Sequence, residues 1–192
     1  MERFNLTGKV ALVTGGNGGT GAGIARGLLE CGAAVVIAGR NVEKNKAMVA
    51  ELQTLGPPVS AITMDVTEER QCQAAVRETV QRHGRLDILV NNAGINNGKP
   101  PQDLSLAEWH QIMNTNLTSA FMLSQAAYPE MEKAGVGKII KYRLNGVISC
   151  VTRNAGLWRE QSHPVWGGHA RRRGRRTIFR SIRFFLATST QT

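Results

Sequence analysis

Thr14-Gly15-Gly16-Asn17-Gly18-Gly19-Thr20-Gly21 is the stretch whose reading decides the fold. It closes the apolar run Lys9–Thr14 (KVALVT) and leads into a pattern that sets Ile24, Leu28 and Leu29 on one helical face and stops near Gly32. In a strand, Gly-rich turn and helix in that order, glycines let backbone N–H groups approach a pyrophosphate. The helix behind adds unpaired donors and the positive end of its dipole. Without that context a glycine cluster is only a turn.

The context repeats outward. Ala33–Ala38 reads as a second buried strand, and Asn41 can cap a helix that runs to about Leu55, where Gly56-Pro57-Pro58 ends it. Val59–Met64 is a third strand. Thr67 with Glu68, Glu69 and Arg70 opens a helix that continues to His83-Gly84. Leu86–Val90 is a fourth strand entering Asn91-Asn92-Ala93-Gly94. Pro100 and Pro101 mark a loop before one long helical stretch from about Ser105 to Lys133, and Lys138–Ile140 starts a fifth strand. Strands alternating with helices of this length predict an α/β fold with a doubly wound parallel sheet and right-handed crossovers. After Ile140 the pattern stops, so the sheet is expected to be incomplete beyond its fifth strand. The expected organisation is a dinucleotide-binding domain over 1–140 and a basic segment over 141–192 that is disordered or poorly packed.

The net charge of +10 over 192 residues suggests a nucleic-acid partner until it is located. Residues 1–140 hold 13 Lys and Arg against 13 acids, whereas 141–192 hold 11 against the single acid Glu160. The cluster Arg171–Arg173, Arg175 and Arg176 lies in that last part, with no aromatic interleaving and no recognised nucleic-acid motif. No run approaches the ~18 apolar residues of a membrane span. Cys31, Cys72 and Cys150 have no paired spacing and read as reduced thiols of a cytoplasmic protein. Cys150, His163 and His169 fit no zinc spacing, so no metal is expected.

The spacing TGxxxGxG at Thr14–Gly21, the sequence NNAG at Asn91–Gly94, Asp65-Val66 after the third strand and Asn116 in MNTNLTSAF occur in order. Together they resemble the short-chain dehydrogenase/reductase family. That resemblance implies a Rossmann-like fold, NAD(P), and hydride exchange between an alcohol and a carbonyl. It places Gly15, Asn17, Gly19, Thr20 and Gly21 at the pyrophosphate, Asp65 and Val66 at the adenine, and Asn92, Ala93 and Gly94 along the cofactor. It makes Asn116 the catalytic-site residue that holds a water of the proton relay. Blander readings stand beside these: Asp65 as a helix cap, Asn91 as a brace of the sheet, Asn116 as a satisfied interior amide. In the intact family the helices around Glu108–Met131 contribute to a homo-oligomer interface.

NAD selectivity usually rests on an acid after the second strand, and NADP selectivity on a nearby cation. This chain reads Ala38-Gly39-Arg40-Asn41. Arg40 can clamp a 2′-phosphate with paired donors, which favours NADP, with NAD as the alternative and a solvated surface Arg as the plain reading.

The resemblance further implies a Tyr proton donor, a Lys four residues later and a Ser about a dozen residues before. The Lys matters because an unperturbed Tyr, with pKa near ~10, is a poor base at neutral pH. The chain has two tyrosines, Tyr128 and Tyr142, and neither begins YxxxK; Ser149 is left without a partner. A one-base slip accounts for this. Lys141-Tyr142-Arg143-Leu144 can be encoded AAA TAT CGG CTC, and removing one A gives Asn-Ile-Gly-Ser. Gly156 to Ser162 can be encoded so that the same shifted frame reads Ala-Tyr-Gly-Ala-Ser-Lys, with its Tyr codon spanning Leu157/Trp158. GC-rich codons for Ala and Val become Arg codons when shifted, as the Arg cluster requires. The expectation is a frameshifted catalytic half and an inactive chain.

The loop GGNGG, the segment NNAGINNGKPPQDLS and the recovered Asn-Ile-Gly-Ser resemble members that oxidise sugar acids, such as gluconate 5-dehydrogenase relatives. The expected substrate is a small alcohol or ketone. The rival reading is a non-catalytic dinucleotide-binding protein with a basic tail that binds nucleic acid or another anion. A sheet ending at Ile140 should also leave an edge uncovered and the product poorly soluble.

Overall fold

The computed structural model describes residues 4–142. Five strands are present there: β1 (Val10–Thr14), β2 (Ala34–Gly39), β3 (Val59–Thr63), β4 (Ile88–Asn91) and β5 (Lys138–Lys141). They pair in the order β3-β2-β1-β4-β5, and every pairing is parallel. The helices are α1 (Gly19–Glu30), α2 (Val42–Leu52), α3 (Glu69–His83), α4 (Leu106–Met113) and α5 (Ser119–Lys133). This is the doubly wound, Rossmann-like arrangement expected from the strand–helix alternation.

Why the sheet is buried on both faces follows from the period-2 alternation of apolar strands. Leu12, Val36 and Leu89 point to one face, where Cys72, Val76, Leu123, Ala127 and Met131 of α3 and α5 cover them. Ala11, Val13, Val35, Ile37, Ile88 and Val90 point to the other, against Ala25, Leu29 and Leu52 of α1 and α2. Each fully buried Leu, Ile or Val contributes roughly 1.5–3 kcal/mol.

Three element boundaries differ from the sequence reading. Thr67 does not open α3; its N–H and hydroxyl are bound to Asp65 Oδ1 at 2.9 and 2.7 Å, and the cap position falls to Glu68. The helix before α3, α2, is capped as expected, Asn41 accepting from Lys44 N at 2.8 Å, but it finishes in a short 3₁₀ turn over Gln53–Leu55. The stretch read as one helix from Ser105 to Lys133 is three pieces, because a π-turn at Asn114–Thr118 separates α4 from α5. A Ser105–Glu108 capping box starts α4, and Lys99 Nζ reaches the same Glu108 at 2.5 Å. These three donors from Lys99 and Ser105 hold the Glu108 carboxyl down at about 2.

At the N-terminal end of the strands, Asp87 just before β4 ties β1 in place. Its side chain is 5% exposed and accepts from Val10 N, from Lys9 Nζ and from both Nε and an Nη of Arg85. Burial pushes this carboxyl up, but the donations of Arg85, Val10 and Lys9 more than reverse it, so it lies below the usual carboxylate range. Ser149, Cys150, His163, His169, the Arg cluster and the shifted-frame motifs lie outside the described residues.

Candidate functional site

In the order β3-β2-β1-β4-β5 the strands are added on one side of β1 as far as β3 and on its other side from β4, so β1 and β4 flank the switch point at whose carboxyl ends doubly wound parallel sheets open a crevice. The turn after β1, the end of β2, the turn after β3 and the Asn91–Gly94 segment after β4 surround it.

The Gly-rich turn is shaped by close approach. Gly15 takes φ +63°, open to glycine at little cost, and its N–H donates to Ala38 O at 2.7 Å. A Cβ on Gly21 would lie 2.1 Å from Gly15 O and 2.5 Å from Asn92 Nδ2, so α1 can pack its first turn on the loop only with glycine at that place. By contrast, Cβ positions on Gly18 and Gly19 meet open space, and Thr20 is exposed. The inner wall of the turn is therefore closed against protein, and its outer wall at the α1 N-terminus is open. That division suits an extended anionic ligand lying on backbone N–H groups.

Two side chains to which the sequence reading gave no bracing role hold this wall. Thr14 Oγ1, buried at the end of β1, donates to Val90 O and accepts from the N–H groups of Asn92 and Ala93, both at 3.0 Å. Asn92 answers with Nδ2 on Thr14 O at 2.8 Å, so its amide faces the turn rather than the crevice. Asn45 of α2, 2% exposed, accepts from Asn17 Nδ2 at 2.7 Å and donates to Gly39 O at 2.9 Å. Asn17 is thereby drawn against the end of β2. Thr14 was legible as the last strand residue and the first of the TGxxxGxG spacing, not as a brace, and nothing in a 3.6 period marks Asn45, since its partners are 28 and 6 residues away.

Arg40 stands at the end of β2 with its side chain 71% exposed, and an Nη lies 3.8 Å from Asp65 Oδ2. Asp65 is not a helix cap: its Oδ1 closes a turn on Thr67, and its own N–H donates to Gln71 Oε1 at 2.8 Å. Burial raises the Asp65 carboxyl, but the two Thr67 donations and the Arg40 charge outweigh it and bring it below the usual range. Val66 is buried in the core beneath, which leaves its backbone as the part that can face a ligand. Ala93 and Gly94 are half-buried at the crevice floor.

Asn116 sits in the π-turn, 9% exposed. Its Oδ1 accepts from Ile95 N at 2.8 Å and its Nδ2 donates to Ile95 O at 2.9 Å. This reciprocal pair fixes the chain leaving the NNAG segment. With both amide atoms so engaged, a water at this residue would be held by its backbone. Asn91 is buried between β4 and α5, with Nδ2 toward Ser124 Oγ at 3.3 Å, as a brace of the sheet would be. Among the described residues no three His, Cys, Asp or Glu side chains are grouped to hold a metal ion.

The chain matches the family model for short chain dehydrogenase over residues 9–158, which carries the match beyond the fifth strand. It is 39% identical over 167 residues to a tropinone reductase homolog of Arabidopsis thaliana, covering 86% of this chain and 60% of that protein. It is 36% identical over 139 residues to gluconate 5-dehydrogenase of Gluconobacter oxydans, covering 72% of this chain and 54% of that protein. A metagenomic short-chain oxidoreductase crystallised in complex with NADP superposes with TM-score 0.67 at 38% identity, covering 71% of this chain and 62% of that one. The chain thus spans little more than half the length of the relatives it matches.

Proposed function

The chain belongs to the short-chain dehydrogenase family, and on that premise we propose that it carries the cofactor half of an oxidoreductase exchanging hydride between NADP(H) and a secondary alcohol or its ketone. The observation that carries this reading is the crevice itself. Its inner wall is closed by Gly15, Gly21, Thr14 and Asn92, its outer wall is open at Gly18 and Gly19, and one exposed cation, Arg40, stands at its far end.

In this reading the turn from Gly15 to Gly21 binds the pyrophosphate through backbone donors, with Asn17 and Thr20 beside it. Arg40 meets the 2′-phosphate. Asp65 and the Val66 backbone border the adenine, and Asn92, Ala93 and Gly94 border the nicotinamide half. NADP supplies a hydride acceptor at nicotinamide C4. The chain's own contribution is to bind and orient it, and Asn116 holds the floor of the crevice through Ile95. The similarity to a gluconate dehydrogenase and to a tropinone reductase homolog supports a small hydroxyl- or carbonyl-bearing substrate, a sugar acid among the candidates.

A proton donor is the missing part. Neither Tyr128 nor Tyr142 is followed four residues later by Lys, which supports a chain that binds cofactor without turning over substrate. A one-base insertion near codon 141 would account for the absence. The exposed side chains of Leu106, Trp109 and Leu117 along α4 and the π-turn would, in the complete enzyme, enter a homo-oligomer interface. No helix among the described residues is long and apolar enough to cross a membrane. Cys31 and Cys72 form no disulfide, which supports the cytoplasmic reading.

The test uses the full chain and a version of its gene with one base removed at codon 141. The chain is expected to quench or shift NADPH fluorescence on binding and to show no turnover of secondary alcohols or ketones. The edited gene should yield turnover. No NADPH binding would refute the function, and turnover by the unedited chain would refute its inactivity. A second reading, a non-catalytic dinucleotide-binding protein with a polyanion-binding tail, draws on the charge confined to residues 141–192. Salt-sensitive nucleic-acid affinity lost on truncation at Ile140 would favour it.

A further inference from the structure

We propose that Asp65 is a specificity-determining residue that weakens the site's preference for a 2′-phosphorylated nucleotide, by holding a fixed negative charge beside Arg40. The inference rests on the NADP reading above and deepens it.

The geometry decides the sign. Oδ1 of Asp65 is held by Thr67 N at 2.9 Å and Thr67 Oγ1 at 2.7 Å, and its backbone is held by Gln71. Its carboxylate therefore stays in place whatever Arg40 does. Arg40, 71% exposed, approaches Oδ2 only to 3.8 Å, beyond hydrogen-bond distance. Asp65 thus does not clamp the guanidinium in a working pose; a clamp would need a bond that the separation excludes. What Asp65 does contribute is charge. A monoester phosphate carries about −1.5 to −2 at neutral pH. Placed against Arg40, it would meet the attraction of one cation and the repulsion of one immobile anion at the same strand end. A nucleotide with a free 2′-hydroxyl brings no such charge and feels neither strongly.

Removing the charge without removing the turn separates the two effects. Asp65→Asn keeps an acceptor for Thr67, and Asp65→Ser offers a hydroxyl for the same kind of turn. The measurement is calorimetric affinity of the full chain for 2′,5′-ADP and for 5′-AMP, at low salt and at physiological ionic strength. Any loss of adenine contact lowers both ligands alike, so the ratio of the two affinities isolates the 2′-phosphate. In both variants that ratio should rise roughly three- to tenfold at low salt, and by less at physiological ionic strength, as expected for partly exposed charges. A ratio that stays constant or falls in both variants overturns the inference. The underlying reading fails differently: a wild-type ratio near one that Arg40→Ala does not change means the site does not recognise the 2′-phosphate at all.

Discussion

Gly21 shows how much a single missing methyl group decides. An alanine there would put a carbon within 2.1 Å of Gly15 O, and neither the turn nor the first turn of α1 can give way without dislodging Asn92. Gly21→Ala should therefore lower stability by about 1–3 kcal/mol and weaken NADPH binding at least tenfold, read by thermal melting and fluorescence titration. Gly18→Ala meets no neighbour in the folded chain, so its melting temperature should hardly move. Asn116→Ala removes both bonds to Ile95 and leaves a peptide group underpaired in a half-buried place. It should cost about 1–3 kcal/mol in denaturant unfolding, and Asn116→Asp should recover little, since it loses the donor to Ile95 O.

Elements were more legible than the contacts between them. Each of the five strands announced itself as an apolar run bounded by Gly, Asn or Asp, and Asn41 announced its helix, because these signals are local in the chain. The Gly-rich turn and the NNAG segment were legible for the same reason. The bracing contacts of Thr14 and Asn45 were not, because a side chain that holds a turn from 78 or 28 residues away leaves no local pattern. The π-turn was hidden differently: inserting one residue in a helix keeps the composition and the 3.6 period on either side, and shifts only the phase between them. The capping box of α4 is a local signal that gives an element-scale prediction. Ser105→Ala should cost about 1 kcal/mol and loosen the Lys99–Glu108 contact, so amide exchange should speed up in the first turn of α4 and not in α5.

For the whole molecule the two ends of the sheet behave oppositely. The carboxyl end carries the Gly-rich turn with its open outer wall, and the amino end is locked by Asp87 with Lys9, Arg85 and Val10 N. The folded Asp87 carboxyl lies below its unfolded value near ~3.9, so its stabilisation is full above that value. It is lost as pH falls through the folded value. Acid unfolding followed by circular dichroism should thus show a limb below about pH 4 that Asp87→Asn makes shallower, while lowering the neutral-pH melting temperature by several degrees. The same variant should leave the 2′,5′-ADP to 5′-AMP ratio unchanged, because the lock lies across the sheet from the crevice. Bound NADPH should raise the melting temperature of the wild-type chain in proportion to the logarithm of its excess.

The π-turn between α4 and α5 is, in effect, a phase adapter. α5 must present Leu123, Ala127 and Met131 to the sheet, whereas α4 must start at a cap fixed by the loop that Lys99 and Ile95 anchor. Those two demands set angular positions along one continuous helical axis, and an unbroken helix has only one. One surplus residue offsets the side chains on its two sides by about 100° around the axis and lets both be met. Deleting a single residue from Asn114–Thr118 would therefore trade a neater helix for a wrong one, with either the crevice floor or the core facing the wrong way.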